Sequence, residues 1–346
     1  LTLHTEIGEQ PQVLERLLET AWPAVREIAQ AVRRRGPACA LIAARGSSSH
    51  AGLYAQYAWG GLGGMIVAEA APSLYNAYRT PPAAGQALVV GISQSGQSPD
   101  IVEVVAGGRR QGALTLALTN DPASPLARAA EHVLELGAGV EAAVAATKTY
   151  TSQLMLAALL AAALSEAPEL RLAELREVPE AMRALLAREA QIARIAARHA
   201  EIDRCVLLGR GYSLATAREA ALKLKELASV AADPYSSAEF QHGPIALVSP
   251  GTPVLAVAQR DAAFESVLPL LRRLGQERGA RLLVLSDSEE ALALADDPIA
   301  LPAGLPAWLG PLVQIVPLQL FAYHLTLCKG LDPLAPRGLN KVTLTH

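Results

Sequence analysis

Residues 88–101 read Leu88-Val89-Val90-Gly91-Ile92, then Ser93-Gln94-Ser95-Gly96-Gln97-Ser98-Pro99-Asp100, then Ile101 at the start of a helical pattern. A short, continuously apolar run is what a strand buried on both faces of a parallel sheet requires. The polar stretch is a tight turn, and the helix it opens presents unpaired N–H groups to whatever occupies that turn. Small side chains let the backbone approach, three serine hydroxyls add rotatable donors, and Pro99 suits a first helical turn because no N–H is needed there. The residues alone leave two readings open: an oxyanion site suited to phosphate, or a helix N-cap with spare serines.

The chain repeats itself around this strand. Leu41-Ile42-Ala43-Ala44-Arg45-Gly46-Ser47-Ser48 matches Val206-Leu207-Leu208-Gly209-Arg210-Gly211-Tyr212-Ser213, and the Gly112–Thr119 stretch matches Gly279–Ser286, so the two pairs are spaced 165 and 167 residues apart. Between them Val89–Ser93 has its counterpart in Leu255–Gln259, spaced 166 apart. Each copy alternates short apolar strands with helical stretches, so the expected fold is α/β, with two tandem doubly wound parallel-sheet domains of flavodoxin-like type. The expected boundaries are an N-terminal helical segment over 1–36, a first domain over 37–165, a helical connection over 166–201 and a second domain with a C-terminal tail over 202–346. In such folds ligands bind at the carboxyl ends of the strands. Ser48 and Ser93 both fall there.

Bulk properties narrow the class. A chain of 346 residues that is 51% apolar can bury two ordinary cores. A net charge of −3 with no basic stripe gives no footprint for nucleic acid. The apolar run Leu154–Leu164 is too short to cross a bilayer, so no membrane partner is expected. Cys39, Cys205 and Cys328 read as reduced core residues of a cytoplasmic protein, without metal-ligand spacing. The N-terminal stretch, with Glu6, Glu9 and Glu15, is unlike a signal peptide.

The second copy replaces the serine turn with Gln259-Arg260-Asp261-Ala262 and carries other chemistry. In Ala220-Ala221-Leu222-Lys223-Leu224-Lys225-Glu226-Leu227, Lys223 and Glu226 share a helix face, and the alanines and leucines around them predict burial. Downstream come the loop Glu239-Phe240-Gln241-His242-Gly243-Pro244 and the tail Arg337–His346, too apolar for simple disorder and able to fold over a site.

The turn Ser93-Gln94-Ser95-Gly96, the run Glu141-Ala142-Ala143-Val144-Ala145-Ala146-Thr147-Lys148, the helix end Leu222–Glu226, the loop around His242 and the tail lysine Lys341 occur in one order over essentially the whole chain. Together they resemble the tandem sugar isomerase (SIS) family, in particular the isomerase half of glucosamine-6-phosphate synthase. That resemblance implies that Ser48, Ser93, Gln94, Ser95 and Ser98 cradle a sugar phosphate and that Val144 closes the sugar pocket. It implies further that Glu226 moves a proton between C1 and C2 with Lys223 in support, that His242 assists ring opening from the neighbouring subunit of a homodimer, and that Lys341 contacts the open-chain carbonyl or condenses with it. A carboxylate held over the carbon plane and a lysine amine are the groups such chemistry needs, with no cofactor or metal.

Ser98-Pro99-Asp100 and the ending Leu339-Asn340-Lys341-Val342-Thr343 resemble stand-alone aminosugar phosphate deaminase/isomerases, and Gln97, in place of the synthase's acidic residue, removes a negative charge close to the phosphate. The sequence also has neither the synthase's glutaminase domain nor its amino-terminal cysteine. The expected activity is interconversion of glucosamine 6-phosphate, or a close epimer, with fructose 6-phosphate and ammonia. Three alternatives are a fructosamine-phosphate deglycase, a synthase subunit with a separate glutaminase, and a non-catalytic sugar phosphate sensor.

Overall fold

A computed structural model describes residues 2–341. Among the described residues ten strands form two five-stranded sheets, parallel throughout. The first contains β1 (Cys39–Ala44), β2 (Val67–Glu69), β3 (Ala87–Ile92), β4 (Leu114–Thr119) and β5 (His132–Glu135). The second contains β6 (Arg204–Gly209), β7 (Ala231–Ser236), β8 (Pro253–Val257), β9 (Arg281–Ser286) and β10 (Asp297–Ala300). Their orders, β2-β1-β3-β4-β5 and β7-β6-β8-β9-β10, are the same order traced twice, as the internal repeat requires. All six residues of β3 and of β4 are buried, which accounts for apolar runs without alternation.

Two compact units contain these sheets. The N-terminal sheet unit comprises Glu9–Ala142 and Ala146–Pro179, with Asn340 and Lys341 from the tail. The C-terminal sheet unit comprises residues 2–8, Ala143–Ala145 and Glu180–Leu339. The first helix, Leu3–Thr20, therefore contributes to both. The 166–201 stretch folds as helices Pro168–Leu175, Val178–Leu186 and Glu189–Arg198.

In each unit the chain leaves the first strand of its copy to one side and returns on the other. This puts a topological switch point between β1 and β3, and another between β6 and β8. The N-terminal unit packs the Ser47–Gly63 helix along the Lys148–Leu164 helix, whose residues 148–163 are all buried. The C-terminal unit packs Gly310–Cys328 against Ser213–Ala228 and Glu189–Arg198. Residues 307–328 are, among those described, the one helix long and apolar enough to cross a bilayer, a feature the sequence reading passed over. It is mostly buried by those helices, as a core helix is.

Two of the three cysteines depart from the expected core placement. Cys205 is buried, Cys39 is half-buried and Cys328 is exposed. Cys328 ends the Gly310–Cys328 helix, where the neighbouring Leu327 is also exposed because the buried stretch has run out. Burial pushes the Cys205 thiol up to about 12.

Candidate active site

In the N-terminal sheet unit the serine turn leaves β3 at its carboxyl end, beside the switch point. Its backbone is pinned: Ser93 N–H donates to the Leu118 carbonyl at 3.0 Å, Asn120 N–H to Gln94 at 3.0 Å, and Leu126 N–H to Gly96 at 3.1 Å. Gly96 takes φ +62° and lies so close to the next loop that a Cβ there would come within 2.2 Å of the Ser124 hydroxyl. Only glycine fits this turn without displacing its neighbour. Ser93 Oγ accepts the Gly96 N–H at 3.1 Å and Ser95 Oγ accepts the Gln97 N–H at 3.3 Å. Ser98 is the N-cap residue of the Pro99–Arg110 helix, but its side chain makes no capping bond. The plain N-cap reading therefore leaves the Ser98 hydroxyl unexplained.

Ser48 sits one residue into the Ser47–Gly63 helix, after β1, and its Oγ accepts from Gln153 Nε2 at 3.0 Å. Arg45, which the sequence reading left aside, donates through Nε and an Nη at 3.0 and 2.9 Å to Oδ2 of the buried Asp100. This fork ties the end of β1 to the start of the Pro99–Arg110 helix.

At the chain end of the same unit, Lys341 Nζ lies 2.8 Å from Glu141 Oε2, and Asn340 beside it is exposed. Glu141 belongs to the quoted 141–148 run, yet sequence reading gave it no role. Its carboxylate also accepts the N–H groups of Thr147 (2.9 Å) and Thr149 (3.1 Å) and the Thr149 hydroxyl (2.7 Å). Burial raises its pKa, but Lys341 and the threonine donors outweigh burial and hold it below the ordinary carboxylate range. Residues 342–346 of the tail lie outside the described residues.

In the C-terminal sheet unit the Ser213–Ala228 helix follows β6 and is buried along most of its length. Lys223, 1% exposed, lies 2.5 Å from Glu226 and 3.4 Å from Glu219. Burial alone lowers a lysine, but the two carboxylates outweigh it and hold Lys223 above its ordinary value, as a fixed ammonium. Glu219 is fully buried, whereas the Glu226 side chain is 22% exposed. Sequence reading found two members of this triad and missed Glu219, although its position four residues before Lys223 marks the same helix face.

His242 lies in an exposed turn between the short helices Ser237–Phe240 and Pro244–Leu247, and no hydrogen bond joins it to Lys223 or Glu226. Val144, half-buried, follows Ala143, whose N–H is shared by the two carboxylate oxygens of Glu6 at 3.4 and 3.3 Å. Among the described residues no group of three or more His, Cys, Asp or Glu side chains is placed to hold a metal.

Comparison with known proteins fits this architecture. The family signature described as SIS domain matches residues 39–163 and 200–329, one match for each sheet. The glutamine–fructose-6-phosphate aminotransferases (isomerizing) of Methanothermobacter thermautotrophicus and Thermus thermophilus are 37% and 35% identical over 97% of the chain. The chain spans about half the length of these relatives, 56% and 57%. A Silicibacter pomeroyi protein classed as a phosphosugar isomerase superposes with a TM-score of 0.86 at 36% identity, over 96% of this chain and 100% of that one. The C-terminal domain of glucosamine-fructose-6-phosphate aminotransferase from Francisella tularensis gives 0.85 at 28%, over 95% and 96%.

Proposed function

We propose, from the premise that this chain belongs to the SIS domain family, that it interconverts an aldose and a ketose at the level of a phosphorylated amino sugar. In the direction of breakdown, glucosamine 6-phosphate and water give fructose 6-phosphate and ammonia. The observation that carries this reading is the triad on the Ser213–Ala228 helix. Lys223 is buried and held as an ammonium between two carboxylates, of which Glu226, partly exposed, is the one with access to a ligand. Glu226 shuttles the proton between C1 and C2. Lys223 fixes its position, and Glu219 balances the charge.

The serine turn and Ser48 take the phosphate, for which the unused Ser98 hydroxyl and the helix N-terminus are suited. Lys341, paired with a carboxylate that is itself a weak base, suits an ammonium contact to the open-chain carbonyl oxygen. Condensation with that carbonyl requires its proton to leave first. Val144 and Asn340 are each read as residues that contact the sugar. The exposed His242 is read as a ring-opening residue serving a neighbouring copy in a cytoplasmic homodimer.

A second reading is supported by the relatives: the same isomerisation within a glutamine-dependent synthase, with ammonia delivered by a glutaminase. One experiment tests both. The purified protein is incubated with glucosamine 6-phosphate and galactosamine 6-phosphate, following ammonia and ketose phosphate, and in reverse with fructose 6-phosphate and ammonium. Matched ammonia and ketose establish the deaminase and name its epimer. Aminosugar formed only when a glutaminase and glutamine are supplied moves the assignment to the synthase. If neither occurs while sugar phosphates still raise the melting temperature, the isomerase reading fails, and release of amino acid from fructosamine phosphates then separates a deglycase from a sensor.

A further inference from the structure

Lys148 is in an unfavourable place by two physical criteria. It is the first residue of the Lys148–Leu164 helix and only 3% exposed, so its ammonium is stripped of water and set against the positive end of the helix dipole. Glu9, on the first helix, answers it with a carboxylate oxygen 2.6 Å from Nζ. Thr147 and Thr149, the residues on either side of Lys148, are the ones that donate to Glu141, and Glu141 in turn holds Lys341. Every link of this series, from Glu9 through Lys148 and the threonines to Glu141 and Lys341, lies within the N-terminal sheet unit.

We propose that the first helix is a positioning element for the reaction, with Glu9 acting through Lys148 to hold the 141–149 segment and thereby the tail lysine. Glu9 and Lys148 are positioning residues and touch no substrate. Without Glu9 the Lys148 ammonium is relieved by turning toward water, which draws Thr147 and Thr149 away from Glu141. Glu141 then loses the donors that orient it, and Lys341 loses a fixed partner. The catalytic value of this arrangement rests on the reading of Lys341 given above.

The test is competitive labelling of Lys341 with acetic anhydride in the full chain, read by peptide mass spectrometry, together with steady-state turnover. In Glu9→Gln, Lys341 is expected to acetylate about tenfold faster than in the parent protein, because an amine held in a hydrogen-bonded ion pair is withheld from the reagent. In the same variant kcat falls while KM for the sugar phosphate stays within about twofold, because the phosphate cradle is untouched. Glu9→Asp is the second variant: it shortens the reach to Lys148, is expected to give a smaller increase in the same direction, and decides the matter if Glu9→Gln fails to fold. A folded variant of either kind with parental Lys341 reactivity overturns the proposal, as does a Glu9→Gln/Lys148→Met double variant that stays as reactive as Glu9→Gln, because with no buried cation left to turn toward water it should return to the parental rate. The labelling needs no substrate, so absence of turnover in the parent protein sinks the functional reading and leaves the test of positioning intact.

Discussion

The two copies of the repeat trace the same sheet order and then use its carboxyl end differently. In the first copy the turn after β3 keeps its side chains small and its backbone pinned, and its last serine, Ser98, makes no capping bond. In the second copy the corresponding turn after β8 is filled from within. Gln259 donates to the Leu305 carbonyl at 3.0 Å and accepts from Gln314 at 2.7 Å, Arg260 N–H donates to Asp287 at 2.7 Å, and Asp261 accepts from the Ala263 N–H at 2.8 Å. Polar groups that satisfy one another leave no vacancy for an anion. The second copy instead sets Lys223 between Glu219 and Glu226 on the helix after β6, where the first copy's helix opens with Ser47-Ser48-Ser49-His50. The repeat thus provides two equivalent locations that are built differently.

The largest test of this division is Glu226→Gln. General acid–base catalysis contributes 10²–10⁴-fold, so turnover should fall by about 10³-fold, or ~4 kcal/mol of transition-state stabilisation. Stabilisation of the protein by fructose 6-phosphate should persist in a thermal shift assay, because the phosphate is assigned to the first copy. Unchanged turnover would remove the proton-transfer role from Glu226.

Next in size is Glu141→Gln, which removes one partner of a buried ion pair and should cost ~2–3 kcal/mol of stability at pH 7 by chemical denaturation. The sign with pH follows from the lowered carboxyl pKa of Glu141 in the fold. Its stabilisation is complete above the ordinary carboxylate value and is lost as pH falls through the lower folded value, so the gap between parent and variant should close in acid. A gap independent of pH would mean that the pair is not what the carboxylate contributes.

Most of the fold was legible because it rests on patterns that survive duplication. The apolar runs at β1, β3 and β4 recur at β6, β8 and β9, and a strand buried on both faces has to be apolar whatever its neighbours. Within the site, legibility followed sequence proximity. The Ser93–Ser98 cluster and the Lys223–Glu226 pair lie within one turn and one helix face, and both groupings stand in the fold. Glu141 with Lys341, and Glu9 with Lys148, were not legible, because their partners are 200 and 139 residues apart in the chain. Nothing local marks a lone glutamate in a run of alanines as a counter-ion. Cys328 failed for another reason: helical periodicity says which face is buried, and the end of a core helix has lost its neighbours.

Smaller effects separate the two turns directly. Ser95→Ala and Ser98→Ala in the first copy should each raise KM for sugar phosphates by about tenfold, ~1.4 kcal/mol for a hydrogen bond to a charged group, with kcat little changed. Arg260→Ala in the second copy should leave KM where it was. Equal effects at both turns would break the comparison, since the filled turn would then also be in contact with ligand.

The finest distinction lies between two carboxylates. Asp261 resembles Glu141 in being drawn out of water, but burial dominates there and the nearby Asp287 adds to it, so its pKa is raised instead of lowered. A carboxyl whose folded value is raised subtracts stability above that value, and the penalty disappears below the unfolded one. Asp261→Asn keeps an acceptor for the Ala263 N–H and removes the charge, so stability at pH 7 should stay within ~0.5 kcal/mol of the parent or rise. Any gain should vanish as the pH is taken below the ordinary aspartate range, and chemical denaturation at the two pH values measures it. A clear loss at pH 7 would show that the charge of Asp261 is being used. The second copy's turn would then hold a cationic partner, and it could no longer be described as a site closed by its own side chains.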